Sequence, residues 1–516
     1  MSSLSGIIGI DLGTTNSCCY CLKNGKEEVV PPNEGGQLLL SAVYYQKEGN
    51  PVVGKAARGK YKSGKSVVMN SKRMIGKSYS DPSVQDILDI FGVPVICGRN
   101  DQPYLDLSGV REGMMKTAED VATDILKCIV ERGKSFTGVE FNKVCITIPS
   151  QFDNNQRTAT LNALKNCGFS SSQITMISEP CAAAIAYERE NARHNTHYLV
   201  FDFGGGTFDV SVVYVSDSAI NVCAHRGDSN LGGITIDRMV ADWMKKQYEI
   251  ETGRPFPSID MKKKNPRDIE SKLLVTAEEV KIQLSSEDDT ECTISVDRED
   301  LELNISRVTF NDIIRDIPRR ILKVVDECVL AAGVEKKDIT DIVFVGGSTR
   351  IPLIRDAVKA HFPNGTEMKH DIDQDLCVAK GAVQSFLTNL KVLDRASFSF
   401  GHVVNGAQVE CIVPIDTKLP ALVTMEKNTG NEDDFIRVPL CQGHATKAKQ
   451  REILSDCISL GNYIIDLEDL DLDPEELKNR VLEITYKISG VIHVSVLDKA
   501  SGVYLLKDKA IEYGRK

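Results

Sequence analysis

Short apolar runs alternate with helix-like segments from the start of the chain to about residue 388, where the pattern changes. In the first stretch, Val144 to Pro149 predicts a buried strand that ends at its proline. Asn155 to Cys167 predicts a helix stopped by Gly168. Thr175 to Ile177 reads as a short strand. Pro180, suited to a first helical turn, then opens an alanine-rich helix through Tyr187. Asp341 to Val345 is a further strand, and Ile351-Pro352 begins a helix whose inner side carries Leu353, Ile354, Ala357 and Val358. Beyond residue 388, the runs Val409 to Val413, Ile436 to Leu440, Val481 to Ile488 and Val491 to Leu497 are separated by turns, which predicts a small antiparallel β domain. Pro439 lacks an N–H for a ladder and favours an edge or bulge there. The acidic stretch Asp466 to Glu476 reads as a solvated loop rather than a cation site.

Two apolar runs far apart share one design. Ile8 to Asn16 and Val200 to Asp209 each carry an aspartate, then glycine, then a hydroxyl residue, and lead into a second apolar run. Glycine lets backbone N–H groups approach an anion, threonine adds a hydroxyl donor, and aspartate places a carboxylate where a phosphate-bound Mg2+ would sit. Strands (Ser17 to Leu22, Val210 to Val215) follow these turns, not helices, which excludes the Walker loop and the dinucleotide fingerprint. Phosphates would lie between two facing hairpins, with Asp11 and Asp202 holding hydrated Mg2+. Either loop alone is equally well a plain glycine turn. Both loops together with Gly346-Gly347-Ser348 point to a duplicated fold that closes on a nucleotide, and phosphoryl transfer asks for little beyond positioning and charge neutralisation.

Composition narrows the class. At 516 residues the chain is too long for one core, and 42% hydrophobic with 26% charged residues is the balance of a soluble globular protein. A net charge of -11 argues against direct nucleic-acid binding or attachment to an anionic membrane. No apolar run is long enough to span a bilayer, the N-terminus lacks the regions of a signal peptide, and the C-terminus is no retention or prenylation signal, so a cytoplasmic protein is expected. The 15 cysteines then read as reduced thiols, mostly single within apolar segments. Cys18 to Cys21 forms a C-x-x-C, but within a strand its ends point to opposite faces and no second ligand pair follows. His194 and His197 read as a polar surface loop.

Phe201 to Ser211 closely resembles the heat-shock protein 70 family, within the actin-like ATPase superfamily. So do Ile10 to Ser17, Ser71 to Gly76, Ile177 to Tyr187 and Val345 to Pro352, and the resemblance runs from residue 6 to about residue 510. It implies an α/β fold: a duplicated actin-like (ribonuclease H-like) ATPase domain of two lobes at 1–388, a linker at 389–396 and a small antiparallel β-sandwich, substrate-binding-like, at 397–516. It also implies ATP hydrolysis with ATP/ADP and Mg2+ as cofactors, and a chaperone role in protein folding and stress response. The implied partners are unfolded polypeptide or a dedicated protein, a J-domain co-chaperone and a nucleotide-exchange factor.

The resemblance assigns roles position by position. Lys72 matches the lysine that orients the attacking water and the γ-phosphate. Glu179 matches a carboxylate that hydrogen-bonds water around Mg2+. Asp202 and Asp209 match the pair that position or deprotonate water, a general-base role. Thr207 matches a γ-phosphate contact, while Gly13, Thr14, Thr15, Asn16, Gly204, Gly205 and Gly206 fall in the phosphate loops. Gly346, Gly347, Ser348 and Arg350 match the segment holding adenosine, with Glu278, Lys281, Ile282 and Ser285 in the adenine segment. Asp375 matches an acidic residue near the phosphates. Pro149 and Arg157 match a relay between nucleotide state and the second domain.

Departures from the family pattern set further expectations. Ile282 stands where the family usually has an arginine stacked on adenine, a loss of about 1 kcal/mol, several-fold in affinity. Asn16 replaces an aromatic seen in many members, and Leu231 to Asp237 lacks the usual acidic pair after its glycines. In the linker segment Leu390 to Asp394, Lys391 takes the place of a docking leucine, which puts domain coupling in question. Val409, Ile412, Ile436 and Val438 fall where the family lines its peptide groove, or equally form only the sandwich core. The helical lid is absent, so a peptide should leave quickly. The first reading is an ATP-dependent chaperone. The alternative is a nucleotide-binding co-chaperone or ribosome-associated interaction protein with little hydrolysis or client binding of its own. A small-molecule kinase on the same superfamily fold is disfavoured by the β segment and the Glu179 helix.

Overall fold

The computed structural model describes residues 6–511 except 34, 63–65, 89, 192–194, 258–266, 297–298, 364–365, 370–372, 405, 429–434, 467–479 and 489–490. His194 and positions 467–476 of the acidic stretch lie outside the described residues, as do the side chains of Ile436, Val438 and Pro439.

Apolar runs become strands because both of their faces are covered. The first sheet is built from β1 (Ile7–Asp11), β2 (Asn16–Lys23), β3 (Lys26–Val29), β4 (Lys143–Ile148) and β5 (Ile174–Ser178), in the spatial order β5-β4-β1-β2-β3. β1 runs parallel to β4 and antiparallel to β2, with Asp11 opposite Cys18. The second sheet contains β6 (Thr196–Phe203), β7 (Phe208–Val215), β8 (Ala219–Asp228), β9 (Ile339–Val345) and β10 (Glu367–Lys369), in the order β10-β9-β6-β7-β8. β6 runs parallel to β9 and antiparallel to β7, with Asp202 opposite Asp209. The two sheets thus share one strand plan, and the Asp-Gly turns occupy the same place in each.

Helices close the faces of these sheets. α1 (Ala118–Thr137) starts at a reciprocal Thr117–Asp120 capping box and stops at Gly138, and its buried residues join the first core. α2 (Asn154–Lys165) starts at Asp153, whose carboxylate accepts from the Gln156 N–H at 2.8 Å. α3 (Glu179–Asn191) is buried from Glu179 through Tyr187 and crosses α4 (Cys377–Gln384) closely. At that crossing a Cβ on Gly381 would stand 1.9 Å from the Ala182 carbonyl oxygen, so only glycine fits.

Past residue 388 the chain adds β11 (Lys391–Leu393) to the edge of the second sheet, parallel to β8. The exposed Lys391 points away, while Leu390 and Val392 pack against a buried cluster that includes Tyr198 and Ile220.

Two antiparallel sheets follow. One has the order β16-β13-β12-β15-β17, from β12 (Ser399–Val404), β13 (Gln408–Val413), β15 (Phe435–Gly443), β16 (Arg451–Ile453) and β17 (Ile458–Asp466). The other has the order β14-β18-β19-β20, from β14 (Ala421–Asn428), β18 (Val481–Ile488), β19 (Ile492–Asp498) and β20 (Tyr504–Ala510). Phe400, Leu440, Tyr486 and Val496 belong to one core formed by both sheets. Val409 is buried and Ile412 packs partly against that core. At Pro439, β15 is bonded only to β17, and its ladder shifts register just beyond, at Leu440/Cys441. His197 is a correction to the sequence reading: it lies in β6, half-buried against Tyr214, because apolar pairing of the strand carries its polar end into the sheet.

Candidate functional site

The two Asp-Gly-Thr turns meet. A Cβ on Gly205 would come within 2.2 Å of Thr15 Oγ1, and one on Gly206 within 3.0 Å of Thr14 Oγ1. Hydroxyl buttressing fixes the first turn: the Ser17 hydroxyl accepts from the Gly13 N–H at 3.2 Å, and the Ser41 hydroxyl donates to the Gly13 carbonyl at 2.9 Å. The second turn is tied to the following helix, since the Gly233 and Ile234 N–H groups donate to the carbonyls of Gly204 and Gly205 at 3.0 and 2.8 Å. The Ser348 hydroxyl donates to the Gly204 carbonyl at 2.9 Å.

Between the turns opens a cavity of about 410 Å3. Asp11, Gly13, Thr14, Thr15, Asn16, Lys72, Glu179, Asp202, Gly204, Gly205, Gly206, Thr207, Asp209, Gly346, Gly347 and Asp375 all line it. The structure therefore brings together every sequence-predicted catalytic and phosphate-loop residue.

The residues expected around adenosine are arranged differently. Glu278 pairs with Arg58 at 2.5 Å, and Lys281 pairs with Asp237 at 2.7 Å. Arg350 pairs with Asp375 at 2.7 Å, and the Ser285 hydroxyl donates to the Lys281 carbonyl at 2.9 Å. Ile282 is 59% exposed. None of Glu278, Lys281, Ile282, Ser285, Ser348 and Arg350 lines the cavity. Pro149 does line it, and Arg157 braces its loop by donating to the carbonyls of Phe152 and Ser150 at 2.8 and 3.2 Å.

Charge is the dominant property of the cavity floor. Lys72 Nζ lies 3.0 Å from Glu179 Oε1, with both side chains nearly buried. Burial disfavours the Lys72 ammonium, yet Glu179 and Asp11 outweigh it and hold its pKa above the ordinary lysine value. Burial, followed by the Glu179 charge, pushes Asp11 and Asp209 up to about 7. The same two causes, followed by Asp209 across the hairpin, raise Asp202 well above the carboxylate range. Asp11, Glu179, Asp202 and Asp209 thus crowd around the Lys72 ammonium in a buried space, a set that favours a divalent cation. Among the described residues no group of three His, Cys, Asp or Glu could hold a metal ion directly. Mg2+ characteristically keeps several of its waters.

Sequence reasoning missed several lining residues. Cys18 occupies in the first hairpin the position that Asp209 holds in the second, each opposite the loop aspartate, so the duplication itself carried the signal. Burial raises the Cys18 thiol, and Cys19 and Cys21 pack into a different cluster, so the C-x-x-C forms no reactive pair. Phe152, Asp153 and Gln156 come from the start of α2, where Asp-x-x-Gln is a readable cap. Phe398, His444 and Ile458 arrive from the β segment, and nothing local announces them.

The mixed α/β architecture, with two sheets of one plan and facing Asp-Gly-Thr turns, is consistent with an actin-like ATPase fold. The family model described as Hsp70 protein matches residues 7–507 of the 516, and the chain belongs to the Hsp70 family. Proteins of that family bind ATP or ADP with Mg2+, are ATPases, and generally engage unfolded polypeptides and co-chaperones. Among the described residues no helix is long and apolar enough to cross a membrane.

Proposed function

We propose that this chain is an ATP-dependent chaperone of the Hsp70 type, with residues 1–388 binding and hydrolysing ATP, 389–396 linking, and 397–516 forming a β-sandwich that takes polypeptide. The observation that carries the reading is the single cavity in which the Lys72–Glu179 pair, both Asp-Gly-Thr turns and Asp209 converge. Backbone donors of the two turns, with the hydroxyls of Thr14, Thr15 and Thr207, cradle the phosphates. Asp11 and Asp202 would hold hydrated Mg2+, which supplies charge neutralisation at the phosphates. Lys72 offsets negative charge where it develops, and Asp202 and Asp209 position the attacking water or take its proton. Asp209, pushed up to about 7, is poised to exchange a proton near neutral pH.

One observation favours the second reading, a nucleotide-binding interaction protein with little turnover. The adenine segment presents an exposed Ile282, and Glu278 and Lys281 are engaged with Arg58 and Asp237. Single-turnover ATP hydrolysis by wild type and Lys72→Ala decides between them. The first reading expects a fall of about a hundredfold or more, the loss typical of one preorganised charge at a transition state. Equal rates in the two proteins would sink the hydrolysis claim. An unfolded reporter peptide should also bind saturably, with an affinity that changes with nucleotide.

A further inference from the structure

Among the described residues three glutamines line the cavity, Gln151, Gln156 and Gln374. Two of them are committed elsewhere. Gln156 closes the cap of α2, its Oε1 accepting from the Asp153 N–H at 3.1 Å. Gln374 Oε1 accepts from the Thr349 hydroxyl at 3.2 Å and from Arg355 Nη2 at 3.3 Å. Gln151 differs, since among the described residues its side-chain amide has no hydrogen-bond partner.

The place of that amide is set from both sides. Gln151 sits in the turn that follows β4, and Arg157 braces this turn by donating to the carbonyls of its two neighbours, Phe152 at 2.8 Å and Ser150 at 3.2 Å. The Phe152 N–H closes the turn on the Pro149 carbonyl at 3.1 Å. On the facing side, Gly227 of β8 pairs with Asp209 of β7. A Cβ on Gly227 would stand 2.4 Å from Gln151 Nε2 and 2.7 Å from Asp209 Oδ1. Amide nitrogen and carboxylate oxygen therefore flank one point, open only because residue 227 is glycine. Groups so placed are within reach of one water hydrogen-bonded to both, at the usual length of about 2.8 Å. Such a water accepts from the amide N–H, donates to the carboxylate and keeps a lone pair for phosphorus.

We propose that Gln151 is a catalytic residue of ATP hydrolysis, its Nε2–H donating to the attacking water while Asp209 accepts from that water. The proposal rests on the hydrolysis reading above. The water oxygen bonds to the γ-phosphorus as the bond from that phosphorus to the β–γ bridging oxygen breaks. ADP leaves with the electron pair, and the water proton passes to Asp209. Negative charge builds on the water oxygen as its proton departs, and an N–H donor is worth more to that oxygen than to neutral water. The gain falls in the transition state, so it belongs to the rate rather than to nucleotide affinity. A neutral amide supplies it without adding negative charge beside Asp11, Glu179, Asp202 and Asp209, in a cavity that must admit phosphates.

The test compares wild type, Gln151→Leu and Gln151→Glu in single-turnover hydrolysis at saturating ATP with Mg2+. Affinity for a non-hydrolysable ATP analogue and melting temperature are measured on the same proteins. Glu keeps the shape of Gln and exchanges its N–H donor for an acceptor, which separates chemistry from packing. Hydrolysis should be about ten- to a hundredfold slower in both variants, with the affinity of Gln151→Leu within about threefold of wild type. A wild-type rate in either variant overturns the proposal and leaves the hydrolysis reading intact. A fall in the rate of Gln151→Leu matched by an equal loss of affinity or by a collapsed melting temperature overturns it as well. Should both variants fail to fold, Gln151→Asn, whose amide stops one methylene short, decides the question. A slower rate at unchanged affinity then supports the assignment, and a wild-type rate overturns it. A wild type that binds nucleotide without hydrolysing it removes the hydrolysis reading itself, and this proposal with it.

Discussion

Asp11 and Asp209 show how burial and a shared negative charge govern the site one residue at a time. Their folded values of about 7 lie above the 3.8 of a free aspartate, so the folded, ligand-free protein holds more protons than the unfolded chain across that window. Stability contributed by these groups is therefore present at acid pH and lost as pH rises from 3.8 to about 7. Calorimetry should record a melting temperature that falls through this range without ligand and falls less with Asp11→Asn. A profile that is flat, or that rises with pH, contradicts the assignment. The same protonation opposes a cation, so Mg2+ affinity in the presence of nucleotide should rise about tenfold per pH unit below neutrality for each proton displaced, readable by titration calorimetry. At this scale the sequence was most legible where a motif carries its own chemistry, as at Asp11, Asp202 and Lys72. It was least legible where a side chain's partner decides its state. Glu278 and Lys281 could be placed in a segment, but their pairing with Arg58 and Asp237 depends on residues brought from elsewhere in the chain.

Among elements, the contact of α3 with α4 leaves very little tolerance. An added methyl at Gly381 meets the Ala182 carbonyl, a backbone atom that cannot swing aside. Gly381→Ala should cost about 1–3 kcal/mol, the range for overpacking a well-filled core, visible as a lower denaturant midpoint at unchanged slope. A midpoint equal to wild type would mean that the helices part more easily than the structure implies. Strand positions were readable from apolar runs: Val481 to Ile488 and Val144 to Ile148 fall within or coincide with strands. β11 was not readable as a strand. Its three residues, one a lysine, hold no period, and only the open edge of β8 gives them a partner. The end of α2 falls at Lys165 rather than Cys167: Asn166, the C-cap, still donates to the Asn162 carbonyl, but the Cys167 N–H turns to the Leu164 carbonyl in a tighter closing turn.

For the whole molecule, the short strand β11 is where the chain leaves the second sheet for the two antiparallel sheets that follow. Val392→Asp would bury a carboxylate against the cluster of Tyr198 and Ile220, so the segment should detach. Limited proteolysis within 389–396 should then quicken several-fold relative to wild type, whereas Lys391→Ala, at an exposed position, should cleave at the wild-type rate. Equal cleavage of all three would show that β11 contributes nothing to docking. The duplication was legible in the paired loops, but the contact of Asn154 with Gln442 was not, since 288 residues separate them and neither carries a motif. The shared strand plan has one more consequence. Two copies of one topology, meeting turn to turn, have no intrinsic head or tail, whereas a nucleotide does. Its polarity must be read from what the copies do not share: a thiol at Cys18 against a carboxylate at Asp209, and an ammonium at Lys72 on one flank against the left-handed turn of Gly346, φ +84°, on the other. A nucleotide bound between these turns would take its direction from divergence between the repeats, and substitutions that made the halves more alike would erase it.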